Sequence, residues 1–444
     1  MAVHSKDGIT WLTKLKRIGE LSAADGDLVF NNLGHLINAD MLKEQYWRLD
    51  WKKAVGIDGV SKRAYGKRLD ENIRSLINRI RRDTYKPKPA RLTEIPKEDG
   101  STRPLAISCV EDKVVQLAVS NILSEIYEPL FLPCSFGFRP GKSCHDALRA
   151  LTAAVFPNVN GAIVEIDIRK YFNTIPHEAL MKLLRNKISD RRFLRLIETL
   201  ISAPILSGDK AVENVCGCPQ GSIISPILAN IYLHHVIDEW FAEISKTHIH
   251  GRAQIIRYAD DMVFTFECLV EAKRFYRVLP KRFAKFGLTL HEGKSQLIRA
   301  GNYAAQRADR RGERIPVFHF LGFTCYWGKV RSNFWRLKFK SRRDRFTSKL
   351  KGLRLFLWDN LNARDPRDVL QTAIAVIRGW INYHHISDNG YMVDAFRAEC
   401  MRTIHRWFNR RGRRRPLRWD RFNRMMQGMG FPKMGKTTSM FPKH

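Results

Sequence analysis

Tyr258-Ala259-Asp260-Asp261 is where this sequence concentrates its chemical potential. Apolar runs flank it, Ala253–Arg257 before and Met262–Phe266 after, and both read as buried strands. The four residues therefore form the tip of a β-hairpin. Adjacent carboxylates repel one another and resist burial. A divalent cation relieves that cost, and two hard cations held ~3.5–4 Å apart by carboxylates drive in-line phosphoryl transfer. A third acid ends another apolar run, Gly161-Ala-Ile-Val-Glu-Ile-Asp167. With period 2, Ala162, Val164 and Ile166 face one way and Ile163, Glu165 and Asp167 the other. Asp167 can then lie beside the hairpin tip on a neighbouring strand. Taken alone, the tetrapeptide fits an acidic turn equally well, since Asp is a common turn residue.

The chain must supply both a core and a partner surface for such a site. It has 444 residues, enough for two or three domains, and 44% are hydrophobic. A net charge of +33 points to a polyanion, with nucleic acid the leading class. The last 114 residues, from Arg331, hold 27 Lys and Arg against 8 Asp and Glu, a net +19. Trp335, Phe339, Phe346, Trp358, Trp380, Phe396, Trp407, Phe408 and Trp419 interleave with those cations, which argues for a folded basic domain over a solvated tail. The eight cysteines include one close pair, Cys216 and Cys218, without a second pair downstream. That disfavours zinc and suits a reducing compartment. The sequence has neither an 18-residue apolar run nor a continuous apolar stretch in Met1–Gly19, so neither a transmembrane helix nor a secretory signal is expected.

Periodicity supplies the elements. Residues 1–50 read as helical. Leu69, Ile73, Leu76, Ile77 and Ile80 predict a helix over Leu69–Arg82, ended by Tyr85-Lys-Pro-Lys-Pro89. Strands are expected at Arg91–Pro96 and Arg103–Ser108 around the turn Lys97-Glu-Asp-Gly100, then helices at Glu111–Tyr127 and Ser143–Val155. Strands and helices alternate to about residue 326. Beyond it, Phe346, Leu350, Leu353 and Leu357 share one helix face; Val369, Ala373, Val376, Ile377 and Trp380 share another; Phe396, Cys400, Ile404 and Trp407 a third. These predict an amphipathic helical bundle with a break near 327–340.

Several blocks together resemble the reverse transcriptase/maturase proteins encoded by group II introns. They are Ala54-Val-Gly-Ile-Asp-Gly-Val60, Ile95-Pro-Lys97, Arg103-Pro-Leu105, Cys134-Ser-Phe-Gly-Phe-Arg-Pro-Gly-Lys-Ser-Cys-His-Asp-Ala-Leu148, Ile166-Asp-Ile-Arg-Lys-Tyr-Phe172, Gly217-Cys-Pro-Gln-Gly-Ser222, Ser225-Pro-Ile-Leu-Ala-Asn-Ile-Tyr-Leu233, the Tyr-Ala-Asp-Asp tip, Leu288–Lys294 and Phe320-Leu-Gly-Phe323. Any one block is weak; the full set in this order is specific. The resemblance covers about Ala54 to Trp419. It implies an α+β fold, a right-hand polymerase with fingers and palm built on antiparallel sheet, followed by an α-helical thumb/maturase domain. The boundaries expected are 1–53 for an N-terminal helical extension, 54–160 for mainly fingers, 161–330 for mainly palm, and 331–444 for the basic helical thumb, domain X and tail.

The resemblance also implies roles. Asp167, Asp260 and Asp261 would be the catalytic residues and hold two Mg²⁺, with Mn²⁺ a permitted substitute. Lys97 and Arg103 would grip the triphosphate, or serve as solvated hairpin charge. Phe172 would crowd a 2′-hydroxyl and favour dNTPs, or simply pack in the core. Gln220 would help position the incoming nucleotide, with Gly221 letting backbone approach it. Lys294 would aid the triphosphate or the palm; Arg139 would touch template or pack between fingers and palm. His145, His384 and His385 read as ordinary helix residues. Arg378-Gly-Trp-Ile-Asn-Tyr383 resembles domain X, and the basic aromatic strip from Arg406 to Arg415 would hold intron RNA or grip any duplex.

Implied partners are an RNA template with DNA primer, dNTPs and a group II intron RNA, in a cytoplasmic, bacterial, RNA- or nucleoid-associated setting without a membrane. Ser222 departs from the family's usual Pro-Gln-Gly-Gly. The sequence shows no Cys/His-rich endonuclease segment and no later carboxylate cluster of RNase H type, so the endonuclease-lacking form is expected. Two other settings fit the same motifs: a free-standing group II-like enzyme used in repair or phage defence, and a splicing cofactor with secondary polymerase activity.

Overall fold

Period-2 alternation decides which core each strand residue enters. Residues 11–96, 102–207, 210–330, 334–363, 365–411 and 416–441 are described by the computed structural model. Gly161–Ile166 is an inner strand of a four-stranded antiparallel sheet. On one side it pairs with Asp261–Phe266, whose other edge takes Ala253–Tyr258; on the other it pairs with Gln296–Ala300. Ala162, Val164 and Ile166 join one apolar core, together with Met262, Phe264 and Phe266. Ile163, Ile256 and Val263 join a second core on the opposite face. Both faces of the sheet are covered, so its strands read as near-continuous apolar runs.

The first core extends into the N-terminal half. Val110–Tyr127 is apolar on nearly all sides and correspondingly buried, with Val114, Val115, Ala118, Val119 and Ile122 fully enclosed. Leu15 and Ile18 of the helix Trp11–Ala24, and Met41 and Leu42 of the helix Ala39–Arg48, share that core. So do Ile73, Leu76 and Ile77 of Leu69–Arg81, within one residue of the expected helix. A second four-stranded sheet has the order Thr102–Ile107, Ala90–Pro96, Ile205–Ser207, Lys210–Val212. Its first two strands form the expected antiparallel hairpin, with Ile95 opposite Arg103.

The second core lies between the central sheet, the helix Cys144–Val155 and a three-stranded sheet of Val317–Phe320, Phe323–Lys329 and Trp335–Ser341. Ser143 caps that helix reciprocally with Asp146, a capping box. The third strand of the three-stranded sheet lies beyond residue 330, so Trp335 and Phe339 belong to this core and not to the helical bundle. The bundle begins at Arg343. Its helices are Arg343–Asp359, Pro366–His384, Gly390–Arg411 and a fourth, Trp419–Gly428. Leu350, Leu353, Leu357, Ile377, Ile404 and Phe422 fill its core; burying each is worth about 1.5–3 kcal/mol. Val376 is the exception on its predicted face, 41% exposed.

Candidate active site

The hairpin turns at Ala259-Asp260, with Tyr258 paired to Asp261. On the neighbouring strand Ile166 pairs with Met262, so the next step of the same register sets Asp167 across from Asp261. Both then share the sheet face of Glu165 and Val263, and like charges directly opposed across strands destabilise. The electrostatics reflect this crowding. Asp261 keeps solvent access at the tip, but the protein around it removes much of its hydration. That desolvation, with Asp260, Asp167 and Glu165 nearby, pushes its carboxyl up to about 7. Asp260 is also raised, first by burial and then by Asp167, while Arg103 and Arg257 pull the other way. Glu165 is raised chiefly by burial, and it is held by the Gln296 amide at 2.6 Å.

Asp167 is fixed by its backbone. Its carbonyl accepts from the His291 N–H at 2.8 Å, and its N–H donates to Ser295 Oγ at 3.3 Å. Lys294 reaches its carboxylate at 3.3 Å. The three aspartates are not drawn into one compact ligand cluster. Among the described residues, one triple has ligand atoms within 4.8 Å of one another: His234, His235 and Glu239, on the π-helical turn His234–Asp238 and the residue after it.

Behind the tip sits Arg257, a charge on a buried strand with no solvent exposure. Its Nε and Nη2 donate to the two Asp238 carboxylate oxygens at 2.8 and 2.5 Å. Nη1 donates to Asn230 Oδ1 at 3.0 Å and to the Ala259 carbonyl at 3.2 Å, and Nη2 also to Ser135 Oγ at 2.8 Å. Burial works against this charge, but Asp238 more than offsets it. Ala259 adopts a left-handed φ of +56°, costly for a residue with a Cβ. Its carbonyl bond to Arg257 and a close neighbour, Gly137, hold it there. A Cβ on Gly137 would fall 2.3 Å from the Ala259 nitrogen, and Asn230 Nδ2 grips the Gly137 carbonyl at 2.7 Å.

The nucleotide-side candidates fall into one neighbourhood. Phe172 is half-buried in the short helix Tyr171–Thr174, edge-on to Tyr171 with centroids 5.4 Å apart. Its carbonyl accepts from Cys218 N–H at 2.6 Å, which docks the Pro219-Gln220-Gly221 turn against it. The Gln220 carbonyl in turn accepts from Ala106 N–H at 2.7 Å, tying the turn to the strand that bears Arg103. Arg103 is exposed and near enough to lower Asp260. Gly221 has φ +101°, and a Cβ there would meet the Ala106 oxygen at 2.7 Å; this strand contact is what its lack of a side chain serves. Lys97 lies outside the described residues.

Other residues singled out by sequence resolve simply. Arg139 is internal: it pairs with Glu128 at 2.8 Å and donates to the Leu132 and Ser135 carbonyls. His145 contacts the Tyr383 carbonyl, and His384 stacks on Trp380 at 4.2 Å. All eight cysteines are free thiols, and no cysteine belongs to a ligand cluster among the described residues. Sequence reasoning missed Arg257, Asp238 and Asn230. The available signal was a lone arginine inside an apolar strand, which requires a buried partner.

Aspartates set across antiparallel central strands, under a basic hairpin, are the framework of template-copying polymerases. The chain belongs to the reverse transcriptase (RNA-dependent DNA polymerase) family, whose pattern matches residues 95–325, more than half of its length. Membership implies a polymerase palm and fingers fold, which the mixed helices and antiparallel strand pairs fit. It is 36% identical over 226 residues to the group II intron-encoded protein LtrA of Lactococcus lactis, covering 50% of this chain and 37% of that one. An uncharacterized 91 kDa protein in the cob intron of Schizosaccharomyces pombe is 29% identical over 417 residues, 80% of this chain and 50% of that one. Protein YkfC of Escherichia coli is 35% identical over 206 residues, 46% of this chain and 53% of that one. The chain spans about half the length of these curated relatives or less. They support the group II intron reverse transcriptase/maturase likeness read from the motifs. Among the described residues no helix is long and apolar enough to cross a membrane.

Proposed function

We propose that the chain is an RNA-directed DNA polymerase of the group II intron type that also binds its intron RNA and assists splicing. The observation that carries the reading is the register setting Asp167 across from Asp261 beside the Asp260 tip. Their mutual repulsion and the raised Asp260 and Asp261 fit a site completed by cations. Two Mg²⁺, or Mn²⁺, held by Asp167, Asp260 and Asp261 would supply activation of a primer 3′-hydroxyl and neutralisation of the leaving pyrophosphate. Arg103 offers the triphosphate a cationic partner on the fingers hairpin, and Lys97, outside the described residues, would be a second. Phe172 presents a ring where a ribose 2′-hydroxyl would need room, which favours dNTPs. Gln220 orients the base or sugar from a turn braced on both Phe172 and the Arg103 strand. Lys294 screens Asp167 until substrate arrives.

The domains read as extension (1–53), mainly fingers (54–160), mainly palm from 161, carried past the expected boundary at 330 by the strand Trp335–Ser341, and a basic thumb with domain X from Arg343. RNA template, DNA primer and intron RNA are the partners this charge distribution suits. The test is dNTP incorporation on an RNA template with a DNA primer, with and without Mg²⁺. Metal-dependent synthesis lost in Asp260→Ala, with RNA binding retained, is expected. RNA binding without synthesis under any primer would replace the reading with a splicing cofactor.

A further inference from the structure

A cleft of about 500 Å³ opens between the bundle helices Arg343–Asp359 and Gly390–Arg411. Four cations line it, Lys351, Arg354, Arg406 and Arg410, and no acid does. Its floor is apolar and open to solvent: Leu355 and Trp358, three residues apart on one helix, are 61% and 60% exposed, and together with the cleft they make an apolar patch with a cationic rim. The Arg410 guanidinium stands 5.7 Å from the Trp358 ring centre, the distance of a cation over an aromatic face. A second, independent feature lies in the same cleft. Trp407 is 4% exposed, and its indole N–H has no hydrogen-bond partner. A buried donor without an acceptor is costly and rare.

We propose that this cleft takes one unpaired nucleotide of an RNA, its base stacked on Trp358 and its flanking phosphates on the cations. Every nucleobase has a flat face for Trp358 and ring or carbonyl acceptors for the Trp407 N–H. Its backbone supplies the negative charge that Lys351, Arg406 and Arg410 call for, while Arg354 already has Glu399 at 3.9 Å, outside the lining. An apolar peptide would satisfy the floor but not the cations; a fully paired duplex would satisfy the cations but leave the indole rings and the buried N–H unmatched. Structured RNA exposes such unstacked bases at bulges and loops, where proteins read it. This inference rests on the proposal that the bundle is RNA-binding, and it names the feature of the RNA that the bundle reads.

The test titrates the full chain with two fluorescent RNA hairpins that differ by one unpaired adenosine in the stem. Wild type is expected to bind the bulged hairpin about tenfold more tightly or better. Trp358→Ala and Leu355→Asn, both exposed enough to leave the fold intact, should erase that preference while binding the paired hairpin as wild type does. A 4-thiouridine at the bulge should crosslink to one of the two helices. Preference retained in both variants, an equal loss on both hairpins, or equal preference for the same bulge made of DNA would each overturn the proposal. DNA synthesis on an unbulged primer–template separates the two readings. Copying without bulge preference refutes the cleft alone; bulge preference without copying refutes the polymerase alone.

Discussion

Arg257 is the residue whose replacement should be most instructive. All five of its N–H donors are used: two on Asp238, one on Asn230, one on Ser135 and one on the Ala259 carbonyl at the tip of the Asp260-Asp261 hairpin. Lysine has three donors. Arg257→Lys therefore leaves at least two buried acceptors unmet, at ~1–3 kcal/mol each, or ~2–6 kcal/mol in all. Arg257→Met breaks a fully buried ion pair and strands Asp238, at ~3–5 kcal/mol. For a domain this size the loss corresponds to a drop in Tm on the order of 10 °C. Ala259 also loses the bond that holds its left-handed turn, so the tip should relax. A displacement near 1 Å at reacting groups costs ~10²-fold in rate. Urea unfolding followed by circular dichroism, with single-turnover dNTP incorporation, measures both effects. The double variant Asp238→Leu/Arg257→Met should recover much of the stability, since apolar residues can replace a buried pair. It should not recover the rate, because the Ala259 carbonyl still lacks its donor. Arg257→Lys with stability within ~0.5 kcal/mol of wild type and full kcat would refute this account.

Gly137→Ala should be severe for a small change. The new Cβ would press on backbone atoms of Tyr258 and Ala259, at 2.9 and 2.3 Å, which cannot rotate away; ~1–3 kcal/mol and most of the synthesis should be lost, read by the same two assays. Asp261, raised to about 7 mainly by desolvation, would have to shed its proton to hold the proposed cation. Synthesis at subsaturating Mg²⁺ should therefore rise as pH climbs through 7, and the midpoint should fall as Mg²⁺ is increased. Without metal the sign for stability is opposite. Between the unfolded carboxyl's range and 7 the native state holds the extra proton, so stability declines as pH rises across that window. His384 is lowered to about 3, first by burial and then by Arg345 and His145. The unfolded chain then binds the extra proton between about 6.5 and 3, so stability falls as pH drops through that window. His384→Gln should flatten the loss, measured as urea midpoints at pH 4.5 and 7.5.

The hairpin was legible because its two strands are apolar on both faces and its tip is not. Burial of both faces leaves a doubled carboxylate only the turn to occupy. Asp167 was legible because period 2 sets it with Ile163 and Glu165, and the observed register sets it across from Asp261. The end of the second core was harder. Trp335–Lys340 alternates apolar and basic residues, and that pattern looks the same on a strand over a core as on the start of a basic helical region. Its pairing with Phe323–Lys329 is a long-range fact no local period carries.

Arg257 fails to announce itself for a related reason. One arginine in an apolar run states that a counter-charge exists but not where, and Asp238 lies 19 residues upstream on a π-helical turn. That turn adds a residue to the helical repeat, shifting which side chains face the sheet. Asn230 and Asp238, eight positions apart on continuous helix, both meet the same guanidinium. The hairpin tip is thus held from behind by an ion pair closed to solvent, while its front keeps carboxylates that disfavour their own charge. A rigid back and an electrostatically unsatisfied front are separable properties. Arg257→Lys should loosen the first without neutralising the second; Asp261→Asn should relieve the second and leave the first intact. If the two substitutions produced the same loss of stability and the same pH profile of synthesis, back and front would be one unit, and the division drawn from the hydrogen bonds would be wrong.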